Sequence, residues 1–375
     1  MQRICFFVSS FQNGGVEKVT IQLCNELASK GFEVDLVIGK KNQSNMLDRL
    51  DAKVKLVSLG TSNKIFSILM MALYFIRKAP DIVVADRYHS FVYAAYAKRL
   101  IAGKSEIVMT IHSQMSLSFG AESKRTKKQE KKYSEFMTLT KYCARVIAVS
   151  KGTAEDFLAI FPGFANKISV IYNPVAVDEI QSLAKEEQDN LSFLSGKKHV
   201  IISVGRLEAE KGYATLLRSF AEMENCHDSL LVICGEGRER RNLERLAQQL
   251  GMQDNVYLPG FVENPYSYLA HADLFVLSSR SEAFGVVLVE ALAVGIPVVS
   301  TDCPSYGPRE ILINGEIGKL VPVDDVSALA RAIAESLNVH PGKELLINRA
   351  MHFSLQKSVD QYIKVLKLDQ SPYAS

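Results

Sequence analysis

The 375-residue chain has no tryptophan, 11 prolines and six cysteines. Cys5, Cys24, Cys143, Cys226, Cys234 and Cys303 form no Cys-x-x-Cys pair and no cysteine–histidine ligand spacing. Neither a disulfide framework nor a zinc site is signalled, and a reducing cytosol is the simplest setting. Long apolar runs are scarce. The longest covers residues 65–76, 12 positions between Lys64 and Arg77-Lys78, whereas a bilayer-spanning helix needs about 20. That segment is either a core helix or an interfacial one. The opening apolar run, residues 4–8, is too short for the core of a signal peptide. Two aspartates never stand two residues apart. Charge of one sign is nearly absent in sum, the net being +3, and 47% hydrophobic with 23% charged residues excludes a disordered or collagenous chain. The balance is uneven along the chain: residues 1–173 hold 25 Lys and Arg against 14 Asp and Glu, and residues 174–375 hold 19 against 27. Halves of +11 and −8 cancel.

At about 150 residues per domain the length suggests two. Residues 3–10 form an apolar, β-prone run, followed by Gly14-Gly15 and by Val16, Val19, Leu23 and Leu27 at helical spacing. A second strand is expected over 32–38. Strands at 81–85, 106–111 and 145–149, with a helix over 90–101, continue this alternation up to Asn173-Pro174. It restarts with strands at 199–204, 229–234, 256–258, 274–277 and 297–300 and helices at 213–223, 240–250 and 286–294. Alternating elements of this kind build parallel sheets, so the fold class is α/β with two Rossmann-like parallel-sheet domains.

Three segments carry chemistry. Gly14-Gly15 between a strand and a helix leaves main-chain N–H groups open to an anion, or is simply a tight turn. Gly205-Arg206-Leu207 with Lys211-Gly212 follows an apolar strand. Strand ends of this kind bind ligands, and an Arg fork beside a Lys ammonium suits a diphosphate; the plain alternative is two solvated loop charges. Glu282 and Glu290 stand eight apart across a helix start containing Phe284, Gly285 and Val286. Carboxylates accept hydrogen bonds from paired sugar hydroxyls, or Glu282 is a helix cap and Glu290 a satisfied helix charge. Gly235-Glu236-Gly237 lacks the third glycine of a dinucleotide fingerprint.

These motifs, with Gly14-Gly15-Val16-Glu17-Lys18-Val19, Thr301-Asp302-Cys303-Pro304 and Gly307-Pro308-Arg309-Glu310, resemble the retaining glycosyltransferases of family 4, which have the GT-B fold. The likeness covers nearly the whole chain and is strongest over 205–322. It implies an N-terminal acceptor-binding domain over 1–172, rejoined by the C-terminal segment 355–375 with its helix over 355–366. It also implies a nucleotide-sugar-binding domain over 173–354, the two facing a cleft. By the same resemblance Gly15, Gly205, Arg206, Lys211, Glu282, Phe284, Gly285, Val286 and Glu290 bind the nucleotide sugar, with Arg206 and Lys211 on the diphosphate and Glu290 on the ribose. Arg206, Lys211, Glu282 and His112 form the catalytic set, although a lone histidine after a strand is often structural. Two departures stand out: Tyr306 is one residue more than the common form of its segment, and Asp86-Arg87-Tyr88-His89 occupies a turn that is His-rich in relatives. Asp86 and Arg87 are acceptor-binding candidates or plain surface polarity.

Without an Asp-x-Asp motif, the expected reaction is metal-independent and needs no cofactor. The donor is a nucleotide-diphosphate sugar, UDP-linked by expectation, carrying a hexose or N-acetylhexosamine. The acceptor is a hydroxyl of a lipid-linked glycan or of a polysaccharide or lipopolysaccharide precursor. The leaving phosphate serves as base, and anomeric configuration is retained. Lys124, Arg125, Lys127, Lys128, Lys131 and Lys132 form a basic run without interleaved aromatics. It fits peripheral contact with the anionic inner face of the cell membrane, not nucleic acid, or it is a solvated helix. A nucleotide-sugar epimerase of the same fold, and a non-catalytic nucleic-acid binder led by this run, are the alternatives.

Overall fold

The computed structural model describes residues 2–11, 14–41, 45–120, 125–186, 191 and 196–368. The chain divides into two compact units, Met1–Pro174 with Leu355–Ser375, and Val175–Ser354.

The first unit runs β1 (Arg3–Val8), α1 (Gly15–Ser29), β2 (Glu33–Ile38), β3 (Lys55–Ser58), α2 (Lys64–Lys78), β4 (Ile82–Asp86), α3 (Arg87–Ile101), β5 (Glu106–Ile111), α4 (Met115–Phe119), α5 (Lys127–Leu139), β6 (Cys143–Ala148), α6 (Lys151–Ile160) and β7 (Ile168–Val170). Its parallel sheet has the order β3-β2-β1-β4-β5-β6-β7. The strands read as unbroken apolar runs because helices cover both faces. Alternate side chains divide between two cores. Cys5, Phe7, Val83, Ala85 and Met109 pack with Phe75 of α2 and Phe91 of α3, whereas Ile4, Phe6, Val8, Leu36 and Val84 pack with Leu23 and Leu27 of α1.

The second unit runs α7 (Val177–Leu183), β8 (Val200–Val204), α8 (Tyr213–Ala221), β9 (Leu230–Cys234), α9 (Arg240–Gln249), β10 (Val256–Gly260), α10 (Pro265–Ala270), β11 (Leu274–Leu277), α11 (Val286–Val294), β12 (Val298–Thr301), α12 (Gly307–Ile311), β13 (Lys319–Val321), α13 (Val326–Asn338) and α14 (Lys343–Met351). Its parallel sheet is β10-β9-β8-β11-β12-β13. The closing helix α15 (Leu355–Leu366) belongs to the first unit, where Val359, Tyr362 and Leu366 join the core against α1.

Both units are therefore α/β and doubly wound. Each has one place where strand order reverses, between β1 and β4 and between β8 and β11, and it is outside the carboxyl ends of such strands that α/β sheets bind ligands. The Gly14-Gly15 and Asp86-Arg87 turns follow the first pair, and the Arg206 and Glu282 loops follow the second. One expected boundary moves: α3 starts at Arg87, not near residue 90, because Arg87 takes a left-handed turn (φ 69°) directly off β4.

Candidate active site

In the second unit the loop after β8 is latched to the loop after β11. Gly212 ends the turn carrying Lys211 at φ +66°, and a Cβ there would collide with the Ser278 carbonyl. Ser278 Oγ donates to the Lys211 carbonyl at 2.9 Å. Lys211 Nζ then donates to Glu282 Oε1 at 2.5 Å, and Ser279 Oγ donates to the same oxygen at 2.8 Å. Two of the expected ligand residues thus hold each other, with side chains only 18% and 13% exposed. Arg206 differs. Its side chain is 64% exposed and, among the described residues, pairs with Glu210 at 3.2 Å, an exposed i,i+4 pair of the kind worth about 0.3–0.5 kcal/mol. Gly205 sits at the strand end, its N–H bonded to the Cys234 carbonyl at 2.9 Å.

The Glu282 loop is clamped from the far side by the segment after β12. Thr301 Oγ1 and Cys303 Sγ donate to the Ser279 carbonyl at 2.5 and 3.1 Å, and Ser305 Oγ donates to the Glu282 carbonyl. Burial pushes the Cys303 thiol up to about 11, so it stays a protonated donor. Tyr306, the additional residue, is absorbed in a left-handed conformation (φ 59°) just before α12. Arg309 grips Asp302 and stands 5.7 Å from the Tyr306 ring. Gly285 at φ +100° lets the chain turn into α11. Its neighbours Phe284, packed edge-on against Phe353 at 5.3 Å, and Val286 flank that helix start. Glu290 is buried in the second turn and accepts from Tyr266 Oη at 3.0 Å.

The first unit brings Asp86 and His112 together from the ends of β4 and β5. His112 Nε2 lies 2.7 Å from Asp86 Oδ1. Thr110 Oγ1 donates to that oxygen at 2.8 Å, and Thr20 Oγ1 donates to Oδ2 at 3.3 Å. Burial raises the Asp86 pKa, but His112, Arg87 and Thr110 outweigh it and hold the carboxyl below its ordinary range. Asp86, expected as an acceptor-binding candidate, is almost wholly buried, and its oxygens are engaged by His112, Thr110 and Thr20. His112 Nδ1 is buried with no hydrogen-bond partner among the described residues. Arg87 Nη2 reaches Glu17 Oε1 at 2.9 Å, and Glu17 is 1% exposed. Gly15 begins α1 with nothing within 4 Å of the position a Cβ would take. Packing does not demand glycine there.

The basic run divides between buried and exposed side chains. Lys124 lies outside the described residues. Arg125 is largely buried with its guanidinium 3.7 Å from the Tyr133 ring centroid, and Lys132 Nζ stands 4.4 Å from Tyr88 and 4.7 Å from Phe119. Burial lowers the Lys132 pKa. Both cations serve an aromatic cluster that includes Phe136 and Phe161, which leaves Lys127, Lys128 and Lys131 exposed on α5.

Sequence reasoning gave no role to Ser279, Tyr266, Thr110 or Glu17. Ser279 precedes Glu282 by three residues and Thr110 precedes His112 by two, spacings that could have drawn attention to them. Tyr266 reaches Glu290 from α10, a contact that no local spacing announces.

Two doubly wound units with polar residues gathered beyond each sheet's reversal point have the architecture in which α/β proteins bind ligands. The chain belongs to the family 4 glycosyltransferases with the GT-B fold: residues 13–179 match the model "Glycosyltransferase Family 4" and residues 184–368 match "Glycosyl transferases group 1". It is 28% identical over 93% of its length to 94% of the N-acetylgalactosamine-N,N'-diacetylbacillosaminyl-diphospho-undecaprenol 4-alpha-N-acetylgalactosaminyltransferase of Campylobacter jejuni. It is 32% identical, over 54% of its length and 59% of that protein, to the lipopolysaccharide core biosynthesis glycosyltransferase LpsE of Rhizobium meliloti. Among solved structures, Anabaena Alr3699/HepE in complex with UDP and glucose superposes with a TM-score of 0.80 at 18% identity, covering 98% of this chain and all of that one. No described helix is long and apolar enough to cross a membrane.

Proposed function

We propose that this glycosyltransferase moves a hexose or N-acetylhexosamine from a UDP-sugar to a hydroxyl of a lipid-linked glycan or of a lipopolysaccharide or polysaccharide precursor, with retention at the anomeric carbon. The observation that carries the reading is the Lys211–Glu282 pair, which joins the loop after β8, bearing Arg206, to the loop leading into the N-terminus of α11 at the reversal point of the second sheet. The activities of the Campylobacter and Rhizobium relatives support the acceptor class, and the UDP of the HepE complex supports the nucleobase.

In this mechanism the second unit holds the donor. Arg206 and Lys211 neutralise the diphosphate as it leaves, and the first N–H groups of α11 add to them. Preorganised charge of this kind is the largest catalytic term in many enzymes, and one lost donor costs about 3 kcal/mol. Glu282 receives hydroxyls of the donor sugar and Glu290 those of the ribose. The acceptor oxygen bonds to the anomeric carbon on the face from which the phosphate oxygen departs, and its proton passes to that phosphate. No metal or cofactor enters. His112, oriented by Asp86, borders the sugar, and Arg87 borders the acceptor. The exposed lysines of α5 favour peripheral residence on the anionic inner face of the cell membrane.

The test incubates the chain with UDP-sugars and a short-chain lipid diphosphate-linked acceptor and reads the product linkage by NMR. Transfer with the donor's anomeric configuration kept supports the reading. Inverted product contradicts the retaining mechanism, and an isomerised nucleotide sugar formed without acceptor would establish the epimerase instead.

A further inference from the structure

Helix α2 is apolar on two faces. Met71, Ala72, Tyr74 and Phe75 are buried against the first sheet. Tyr74 Oη donates to Asp35 Oδ2 at 2.8 Å, and the Asn63 side chain caps the first turn, so the rotation of the helix is fixed. On the opposite face Ile65, Phe66, Leu69, Met70, Leu73 and Ile76 are 38–68% exposed. At about 100° per residue these six fall within an arc of roughly 140°, a contiguous stripe and not scattered apolar residues. Fifteen residues reach only about 22 Å along the axis, too short to span a bilayer.

The charges that α2 and its flanking segments contribute all have one sign. Residues 52–80 contain Lys53, Lys55, Lys64, Arg77 and Lys78 and no acidic residue. Lys64 and Arg77-Lys78 mark the two ends of the helix. The neighbouring Lys55 disfavours the charge on Lys78 and holds its pKa below the ordinary lysine value. Lys64 Nζ also binds Glu135 Oε1 at 2.5 Å, which brings the amino end of α2 against α5, the helix bearing exposed Lys127, Lys128 and Lys131.

We propose that α2 is an in-plane docking helix whose outer stripe lies at the headgroup–acyl boundary of an anionic lipid leaflet. An apolar face ringed by cations is the pattern that binds such a surface. A second copy of the chain is disfavoured as the occupant, because a two-fold contact through α2 would set basic helix ends against basic helix ends. The proposal rests on the reading of a membrane-borne acceptor for its purpose, yet lipid binding needs neither donor nor acceptor and is tested separately.

The absence of tryptophan makes Leu69→Trp a single-fluorophore reporter at an exposed apolar site. Full-length L69W mixed with phosphatidylglycerol-containing vesicles is expected to shift its emission to the blue and to be quenched by brominated acyl chains, with a weaker response to pure phosphatidylcholine. In flotation, Leu69→Glu/Leu73→Glu is expected to bind anionic vesicles at least about tenfold more weakly than the native chain, with an unchanged melting temperature and unchanged turnover of a water-soluble acceptor. The proposal is overturned by an unshifted indole on saturating anionic vesicles or by undiminished flotation of L69E/L73E. Vesicle-free self-association that the same substitutions abolish would overturn it in favour of a second copy. Failed flotation with intact glycosyl transfer removes the docking helix alone. Intact flotation without transfer to any acceptor removes the catalytic reading alone.

Discussion

The two units bridge their reversal points with an ion pair of opposite polarity. In the first, the acid comes from the helix after β1 and the base from the turn after β4, joining Glu17 to Arg87. In the second, the base follows β8 and the acid follows β11, joining Lys211 to Glu282. The surroundings differ as well. Glu17 is sealed and Asp86 beside it has both oxygens occupied by His112, Thr110 and Thr20. Lys211 and Glu282 keep part of their surface open, next to an Arg206 that almost nothing restrains. The first site is closed around its carboxylates and opens only at Arg87, 39% exposed, whereas in the second the most open side chain is Arg206, 64% exposed. Under the proposed function, local cations and helix N–H groups let a second unit whose own charge is −9, with 16 Lys and Arg against 25 Asp and Glu over residues 175–354, attract a diphosphate.

The sharpest way to break this comparison is Arg206→Ala with Lys211→Ala. Donor turnover is expected to fall by about a hundredfold or more, measured as kcat/KM for the UDP-sugar. Lys211→Ala alone should also destabilise the fold by about 1–3 kcal/mol in urea titrations, because Glu282 loses its partner in a largely enclosed position. Arg206→Ala, on an exposed residue, should leave stability within about 0.5 kcal/mol of the native chain.

Asp86→Asn comes next. It keeps the shape but removes the charge that orients His112, and a loss of about tenfold to a hundredfold in kcat with little change in KM is expected. It also tests linkage. Because the folded Asp86 carboxyl titrates below its ordinary range, the stability it contributes is complete above the unfolded value of about 3.9 and is lost as pH falls through the folded value. The native chain should therefore lose more stability than D86N below pH of about 4, as read by acid-dependent melting curves. Tyr266→Phe is milder: the loss of one hydrogen bond to Glu290 should cost about 1 kcal/mol, roughly fivefold in UDP affinity by calorimetry if Glu290 holds the ribose. Gly15→Ala comes last. With open space at that position, it should raise stability by about 0.5–1 kcal/mol through the helix start, while donor turnover falls; an unchanged turnover would return Gly15 to the role of a plain turn.

The sequence made the alternation of strands and helices legible because central parallel strands are unbroken apolar runs. It did not reveal β3, β7 or β13, which are three or four residues long, partly exposed and on or near sheet edges. Those strands owe their existence to a neighbour's hydrogen bonds more than to their own composition. The loops carrying Arg206, Lys211 and Glu282 could be read from spacing, since each follows its strand directly. The Asp86–His112 pair could not, because its members are 26 residues apart in the chain and meet only when β4 and β5 align. The basic run divides for a related reason: Arg125 and Lys132 look solvated in sequence, but their aromatic partners come from α3, α4 and α5 folding together. Residues 65–76 left core and interface undecided, and the structure shows a helix with one apolar face buried and the other exposed.

Thermal unfolding of the native chain and of R206A/K211A, each with and without UDP, tests the central claim most directly. A ligand at a hundred times its dissociation constant stabilises its protein by about 2.7 kcal/mol. The account expects UDP to raise the melting temperature of the native chain by several degrees and to leave that of the double variant unmoved. A native chain indifferent to UDP and to other nucleoside diphosphates, or an equal shift in R206A/K211A, would contradict it.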